Sequence, residues 1–212
     1  HYAEVHLRLE PGERGSGITF ASELRADELA PQVQNLIRTH VFEKEHKGIL
    51  TGSKLTDVKI TLVAGRTHLK HTEGGDLREA TYRAVRQALE KAENVLLEPY
   101  YSFVIEAEQE AAGRIMSDIT RLSGRFEPPE IAAGRVRVTG RGPVAGLMNY
   151  SREFAEFTRG KGSVSLTVDG YEPCHNTEEV VSRIGYDKDR DMENPSSSVF
   201  CAKGAGFPVH WS

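Results

Sequence analysis

Cysteine, tryptophan and long apolar runs are scarce in this 212-residue chain. It has two cysteines, Cys174 and Cys201, one tryptophan and three methionines. One cysteine pair in a chain of this length is not a disulfide framework. No CxxC spacing offers a zinc site, so two reduced thiols are expected. No apolar run approaches the ~20 residues of a membrane span. The first residues lack the charged, apolar and small-residue blocks of a signal peptide. These absences favour a cytoplasmic chain with no membrane partner. There is no GxxxxGK[ST] phosphate loop. GKGS at 160–163 has the lysine but neither the earlier glycine nor the strand–loop–helix order that a phosphate cradle needs. HExxH, GxSxG and GxGxxG are also missing. Positive charge is not in excess, since the formal net charge is −4. Any nucleic-acid contact must therefore rest on local basic clusters.

What is present is ordinary globular composition, 38% hydrophobic and 27% charged. The length suits one large domain or two small ones. The opening residues, HYAEVHLRLE, already alternate like a strand. A chain that starts inside an element is expected to be an excised fragment. VHLRL (5–9) reads as a strand, PGERGSG (11–17) as a turn, and ITF (18–20) as its returning partner strand. Pro31 opens a helix with Val33, Leu36, Ile37, His40 and Val41 at i, i+3, i+4 spacing. The β-branched run 56–65 is a strand. A polar loop follows at 67–75, then a helix over 77–93. Asp76 is expected as its N-cap, with Glu79 completing a capping-box-like pair, and Leu77, Ala84, Val85, Ala88 and Leu89 as its buried face.

The pattern then restarts. Residues 96–108 form a strand interrupted near its start by Pro99. A helix carries Ala112, Ile115, Met116, Ile119 and Leu122, and Ser123-Gly124 stops it. Strands around 125–132 and 135–140 join at Ala133-Gly134. Gly142-Pro143 precedes a helix with Leu147, Tyr150, Phe154 and Phe157, and 163–168 is a last strand. The order over 96–170 is β-α-β-β-α-β, the ferredoxin-like split βαβ. The fold class is therefore α+β, two small α/β-sandwich units at 1–94 and 95–173 followed by a C-terminal extension at 174–212. That extension changes character. Residues 178–194 hold six acidic side chains against three basic ones, NPSSS (194–198) reads as a flexible break, and the last apolar stretch is expected to dock on the body.

Two candidate chemistries come from this reading. His68, His71, Glu73 and Asp76 are grouped in the polar loop, as metal ligands or acid–base groups would be. The loop has two glycines and no rigid support, whereas such groups need orientation, so a solvated loop is the expectation. Cys201 with His210 is a weaker nucleophile–base pairing. The same loop has more promise as a contact surface. The strand before it is about 33 Å long and the helix after it about 25 Å, which puts residues 66–76 at one end of an elongated unit. There Arg66, His68, Lys70 and His71, then Arg78, Arg83 and Arg86 on the helix, offer phosphate contacts, and the histidines and glycines offer stacking and close backbone approach. A solvent-exposed turn with ordinary charged flanks remains the other reading.

Several motifs in order carry a resemblance. TDVKITLVAG (56–65), then a loop and an amphipathic helix ending in KAENVLLEPYYSFVIEAEQE (91–110), resembles the junction of domains IV and V of elongation factor G. HYAEVHLRLEPGERGSG resembles the start of domain IV, and FTRGKGSVSLTVDGYEP (157–173) the end of domain V. The extended form from Leu96 to Ile105 is closer to the ribosomal protection proteins of tetracycline resistance. The resemblance implies a left-handed βαβ domain IV and a ferredoxin-like domain V from a translation GTPase. GTP and magnesium would sit in an upstream domain of the parent, with no catalytic, metal or cofactor residue in this fragment. The partner implied is the ribosome, its RNA and proteins, and the fragment is expected to be monomeric. The implied contact residues are Arg66, His68, Lys70, His71, Thr72, Glu73, Gly74, Gly75, Asp76 and Arg78. In the resistance branch this tip reaches the decoding region and dislodges the drug. In the housekeeping factor it acts in translocation. From Gly65 to Asp76 the loop matches the resistance proteins in length, yet none of Thr67 to Gly75 is the proline those proteins carry. GRTH (65–68) resembles the factor's own loop entry. Both branches stay open.

Overall fold

A computed structural model of the chain describes residues 1–202 and 205–210, the side chains of 200–202 and 205–207 aside. The chain divides into two units, His1–Asn94 with Glu178–Ser212, and Val95–Thr177. The terminal segment from Glu178 onward therefore belongs to the first unit rather than standing apart as an extension.

The first unit runs β1 (Ala3–Pro11), β2 (Ile18–Ser22), α1 (Pro31–Phe42), β3 (Val58–Thr67) and α2 (Gly74–Lys91). The sheet order is β1-β3-β2. β1 pairs antiparallel with β3, and β2 pairs parallel with it. The expected hairpin of 5–9 with 18–20 is thus corrected, because β3 lies between them. The reason is legible in β3 itself. Its consecutive Ile60, Thr61 and Leu62 are all buried, the pattern of a central strand that takes a partner on each edge. Between β2 and β3, α1 supplies the crossover that a parallel pair requires. Pro31 sits in its first turn, where a missing N–H costs nothing, and Ile37, His40 and Val41 are its buried face. On α2 the buried residues are Leu77, Thr81, Val85, Arg86 and Leu89. Thr81 and Arg86 replace the expected Ala84 and Ala88.

The second unit runs β4 (Leu97–Glu108), a single 3-10 turn, α3 (Ala112–Arg121), β5 (Arg125–Phe126), β6 (Glu130–Ala132), β7 (Arg135–Pro143), α4 (Val144–Leu147), α5 (Tyr150–Thr158) and β8 (Gly162–Pro173). The sheet order β5-β7-β4-β8, all antiparallel with β6 also on β7, is the ferredoxin-like arrangement. Ala133 and Gly134 both have positive φ (51° and 73°), as a tight two-residue hairpin between β6 and β7 demands. The β4–β8 register slips between Pro99 and Tyr101, the local irregularity that a strand proline imposes. The expected helix after Gly142-Pro143 is two short ones, with Leu147, Tyr150 and Phe154 all buried. These pack with Phe103, Ile105, Ile115, Ile119, Val136 and Val138 into one continuous core.

The terminal segment adds α6 (Thr177–Ile184) and the hairpin β9 (Ser198–Ala202) with β10 (Ala205–Val209). NPSSS makes contacts to α2 that its composition does not announce. Arg83 donates to the Ser197 carbonyl, and Gln87 Nε2 donates to the Ser196 carbonyl at 2.6 Å. Asn194 is buried and its amide donates to Asp191 at 2.9 Å. Tyr186 lies against Gly52, where any Cβ would meet its ring at 2.9 Å. The exposed polar composition of this stretch hides long-range partners that only folding supplies.

Candidate functional site

The loop between β3 and α2 spans residues 68–73, shorter than the sequence pattern implies because both flanking elements extend into it. Its shape is set by backbone bonds. The N–H groups of His71 and Thr72 both donate to the His68 carbonyl, at 3.0 and 2.9 Å. The start of the chain runs alongside. The Tyr2 N–H donates to the His71 carbonyl at 2.8 Å. Thr72 Oγ1 accepts from the His68 N–H at 2.8 Å and donates to the Tyr2 carbonyl. The loop is therefore tied at its neck, with Thr72 as the knot.

The helix start differs from expectation. The N-cap is Glu73, not Asp76. Asp76 is the third helical residue, and its carboxylate accepts from the Glu73 N–H at 2.8 Å. A carboxylate in the first turn faces the positive end of the helix dipole. Gly74 and Gly75 are ordinary helical residues without positive φ, and a Cβ on either would meet nothing within 4 Å. They form the first turn of α2. His1 Nδ1 lies 3.0 Å from Asp76 and 3.8 Å from Glu73.

The ten candidate residues fall into three groups. Arg66, His68, Lys70 and His71 are exposed at the loop end. The His68 and His71 rings stack, with centroids 4.5 Å apart and planes 28° apart. His68 Nδ1 accepts from the Lys70 N–H at 3.2 Å. Thr72, Glu73, Gly74, Gly75 and Asp76 shape the neck and the helix start. Arg78 turns away, and its Nε donates to Glu43 Oε1 at 3.0 Å. Glu43 also accepts from Tyr82 Oη at 2.6 Å and pairs with His40 Nδ1 at 2.8 Å. Three partners, the Tyr82 hydroxyl foremost, pull the Glu43 pKa down to about 2. Burial first, then that carboxylate, pushes Tyr82 up to about 12. Arg78 thus braces α2 against the end of α1.

The loop also holds a residue that composition alone does not single out. Leu69 is fully exposed in the loop, between His68 and Lys70. An apolar residue flanked by basic ones inside a turn is the available signal. Tyr2 and His1 join the site through strand register, since Ala3 pairs with Thr67 and Glu4 with Arg66. With Arg66, Thr67, His68 and His71 they line a shallow open depression. As chemistry, the surface offers two cations, a stacked aromatic pair and an apolar tip. Among the described residues no group of three His, Cys, Asp or Glu is placed to hold a metal. The Cys201 side chain of the other candidate pair lies outside the described residues. Among the described residues no helix is long and apolar enough to cross a membrane.

This geometry, a strand–tight-loop–helix tip on a βαβ unit joined to a ferredoxin-like unit, has a family. Residues 1–93 match Elongation factor G, domain IV, and residues 95–180 match Elongation factor G C-terminus. The chain belongs to the elongation factor G-like family and carries its two C-terminal domains in family order. Among curated proteins it is 30% identical over 170 residues to Tetracycline resistance protein TetP of Clostridium perfringens, which covers 80% of this chain and 26% of that protein. The chain therefore spans about a quarter of the length of that relative. A crystal structure of a Thermus thermophilus protein superposes with a TM-score of 0.75 at 25% identity, over 85% of this chain and 27% of that one.

Proposed function

We propose that this chain is the ribosome-contacting C-terminal part of a translation GTPase of the tetracycline resistance type. In this reading the 66–72 tip enters the decoding region of the small subunit and displaces bound drug. GTP and magnesium belong to an upstream domain of the parent. This part performs no catalysis and works in the cytoplasm as a binding module. The observation that carries the reading is the uninterrupted match of both domains to the family, together with the 30% identity to a tetracycline resistance protein. The tip supports it physically. Arg66 and Lys70 suit phosphates, and the His68–His71 stack with Leu69 suits an unstacked base. A translocation-type factor without resistance activity is the second reading, favoured by the GRTH entry to the loop at 65–68.

Lys70 is the residue to change, because Arg78 is committed to Glu43. Lys70→Glu is expected to weaken co-sedimentation with ribosomes and to lower the salt slope of binding by about one. Equal binding of both chains across the salt series removes the tip as an RNA contact. Release of labelled tetracycline from ribosomes by the parent protein then separates the branches. Ribosome binding that leaves the drug in place selects the translocation-type reading.

A further inference from the structure

We propose that the first unit holds a phosphate-binding pocket between α2 and the terminal segment, distinct from the loop tip. A cavity of about 130 Å³ opens there, lined by Lys44, Lys47, Arg83 and Arg86 and by Glu79 and Glu193. That volume accommodates several waters or one tetrahedral oxyanion.

The cations around it are unusually placed. Arg86 is 4% exposed. Its guanidinium donates to the carbonyls of Lys47 (2.9 Å) and Lys188 (3.5 Å) and to Tyr186 Oη (2.5 Å), and its Nε–H has no acceptor. Arg83 Nε is also buried without an acceptor. Glu79 lies 3.5 Å away but outside hydrogen-bonding geometry. Lys44 donates only to the Glu193 carbonyl, at 3.4 Å, and sits 4.5 Å over the Tyr82 ring. Burial lowers its pKa, although Glu79, Asp191 and Glu193 lie close enough to oppose that shift. Of the four cations only Arg86 is buried, and it rests on neutral oxygens, while the half-buried Lys44 rests on a carbonyl and the Tyr82 ring. A buried cation without a bonded counter-ion is costly, and an anion in the adjoining cavity would offset the Arg86 charge. The lining has two more cations than carboxylates, with Asp191 close behind Lys44, so a net positive charge remains for an oxyanion to offset. Guanidinium and ammonium donors suit that geometry and charge.

The ligand class is a small phosphate, inorganic or the end of a phosphomonoester. Once bound, it would tie the 193–195 stretch to α2. The test uses the whole 212-residue chain and inorganic phosphate, with sodium chloride at matched ionic strength as control. Titration calorimetry and thermal unfolding are expected to show saturable binding and stabilisation beyond chloride. Lys44→Gln should weaken the affinity by about tenfold, the loss of one charge-assisted contact. Glu79→Gln removes a competing carboxylate and should tighten it several-fold. Both positions face the cavity rather than the core, and circular dichroism checks that the fold is kept. Phosphate effects equal to those of chloride overturn the proposal. So does phosphate binding that neither substitution changes, and so does binding of a phosphodiester oligonucleotide but not of inorganic phosphate.

Discussion

The two units handle buried polar groups in opposite ways. In the ferredoxin-like unit the buried Asp118 is fully engaged, by Arg114 at 3.1 Å, Arg121 at 3.4 Å and the Tyr150 hydroxyl at 2.8 Å. Its apolar residues form one continuous core. In the first unit the buried apolar residues form two clusters. All the buried side-chain atoms without a partner among the described residues lie there, on His40, Thr61, Arg83 and Arg86. Evolution tolerates such groups where something other than stability is served. The second unit reads as a closed scaffold, and the loop tip and the cavity beside α2 lie in the first unit.

That contrast can be broken from the scaffold side first. Phe103, 2% exposed at the centre of the second unit, should cost about 3–5 kcal/mol when replaced by alanine. Denaturant unfolding measures this, and a loss below about 1 kcal/mol would mean that the core is not close-packed around it. Thr61→Val tests the other unit. It keeps the shape and removes a buried hydroxyl with no partner among the described residues, so a gain of about 1 kcal/mol is expected. A loss instead would show that the hydroxyl has a partner in solution.

Smaller effects sharpen the picture at the loop. Gly74→Ala should stabilise α2 by about 0.5–1 kcal/mol, since the helical backbone and open surroundings accept a Cβ. Stability gained while ribosome binding is lost would mark Gly74 as a point of close backbone approach. The last effect is confined to acid. The Glu43 carboxylate, with its pKa lowered to about 2 from an ordinary 4.5, contributes stability that is present above pH 4.5. That stability is lost as pH falls through 2. Glu43→Gln should flatten this acid limb in a series of thermal melts. An unchanged limb would show that the His40, Tyr82 and Arg78 contacts do not persist in solution.

Much of the architecture was legible beforehand. The β-α-β-β-α-β order, the Ala133-Gly134 turn and the Pro99 irregularity follow from local signals that report on their own few residues. The family resemblance rests on motifs spread along the chain and points the same way. Two readings at the helix start were changed by the fold, one by a local contact and one by a remote one. Asp76 reads as an N-cap because Ser, Thr, Asn and Asp before an apolar run usually are. Only the fold shows its carboxylate reaching back to Glu73. Arg78 reads as a charge beside the tip, and the fold adds its bond to Glu43, just past the end of α1.

Periodicity and turn chemistry alone determined which segments are strands and helices, and that the second unit is ferredoxin-like. Tertiary structure decided that β3 lies between β1 and β2, that Thr72 and Tyr2 close the loop, and that an acidic, polar terminal stretch covers the basic face of α2. Local propensity acts between neighbours. Strand order, knotting of a loop and the burial of Arg86 depend on contacts dozens of residues apart, whose energies exist only once the chain has closed those distances.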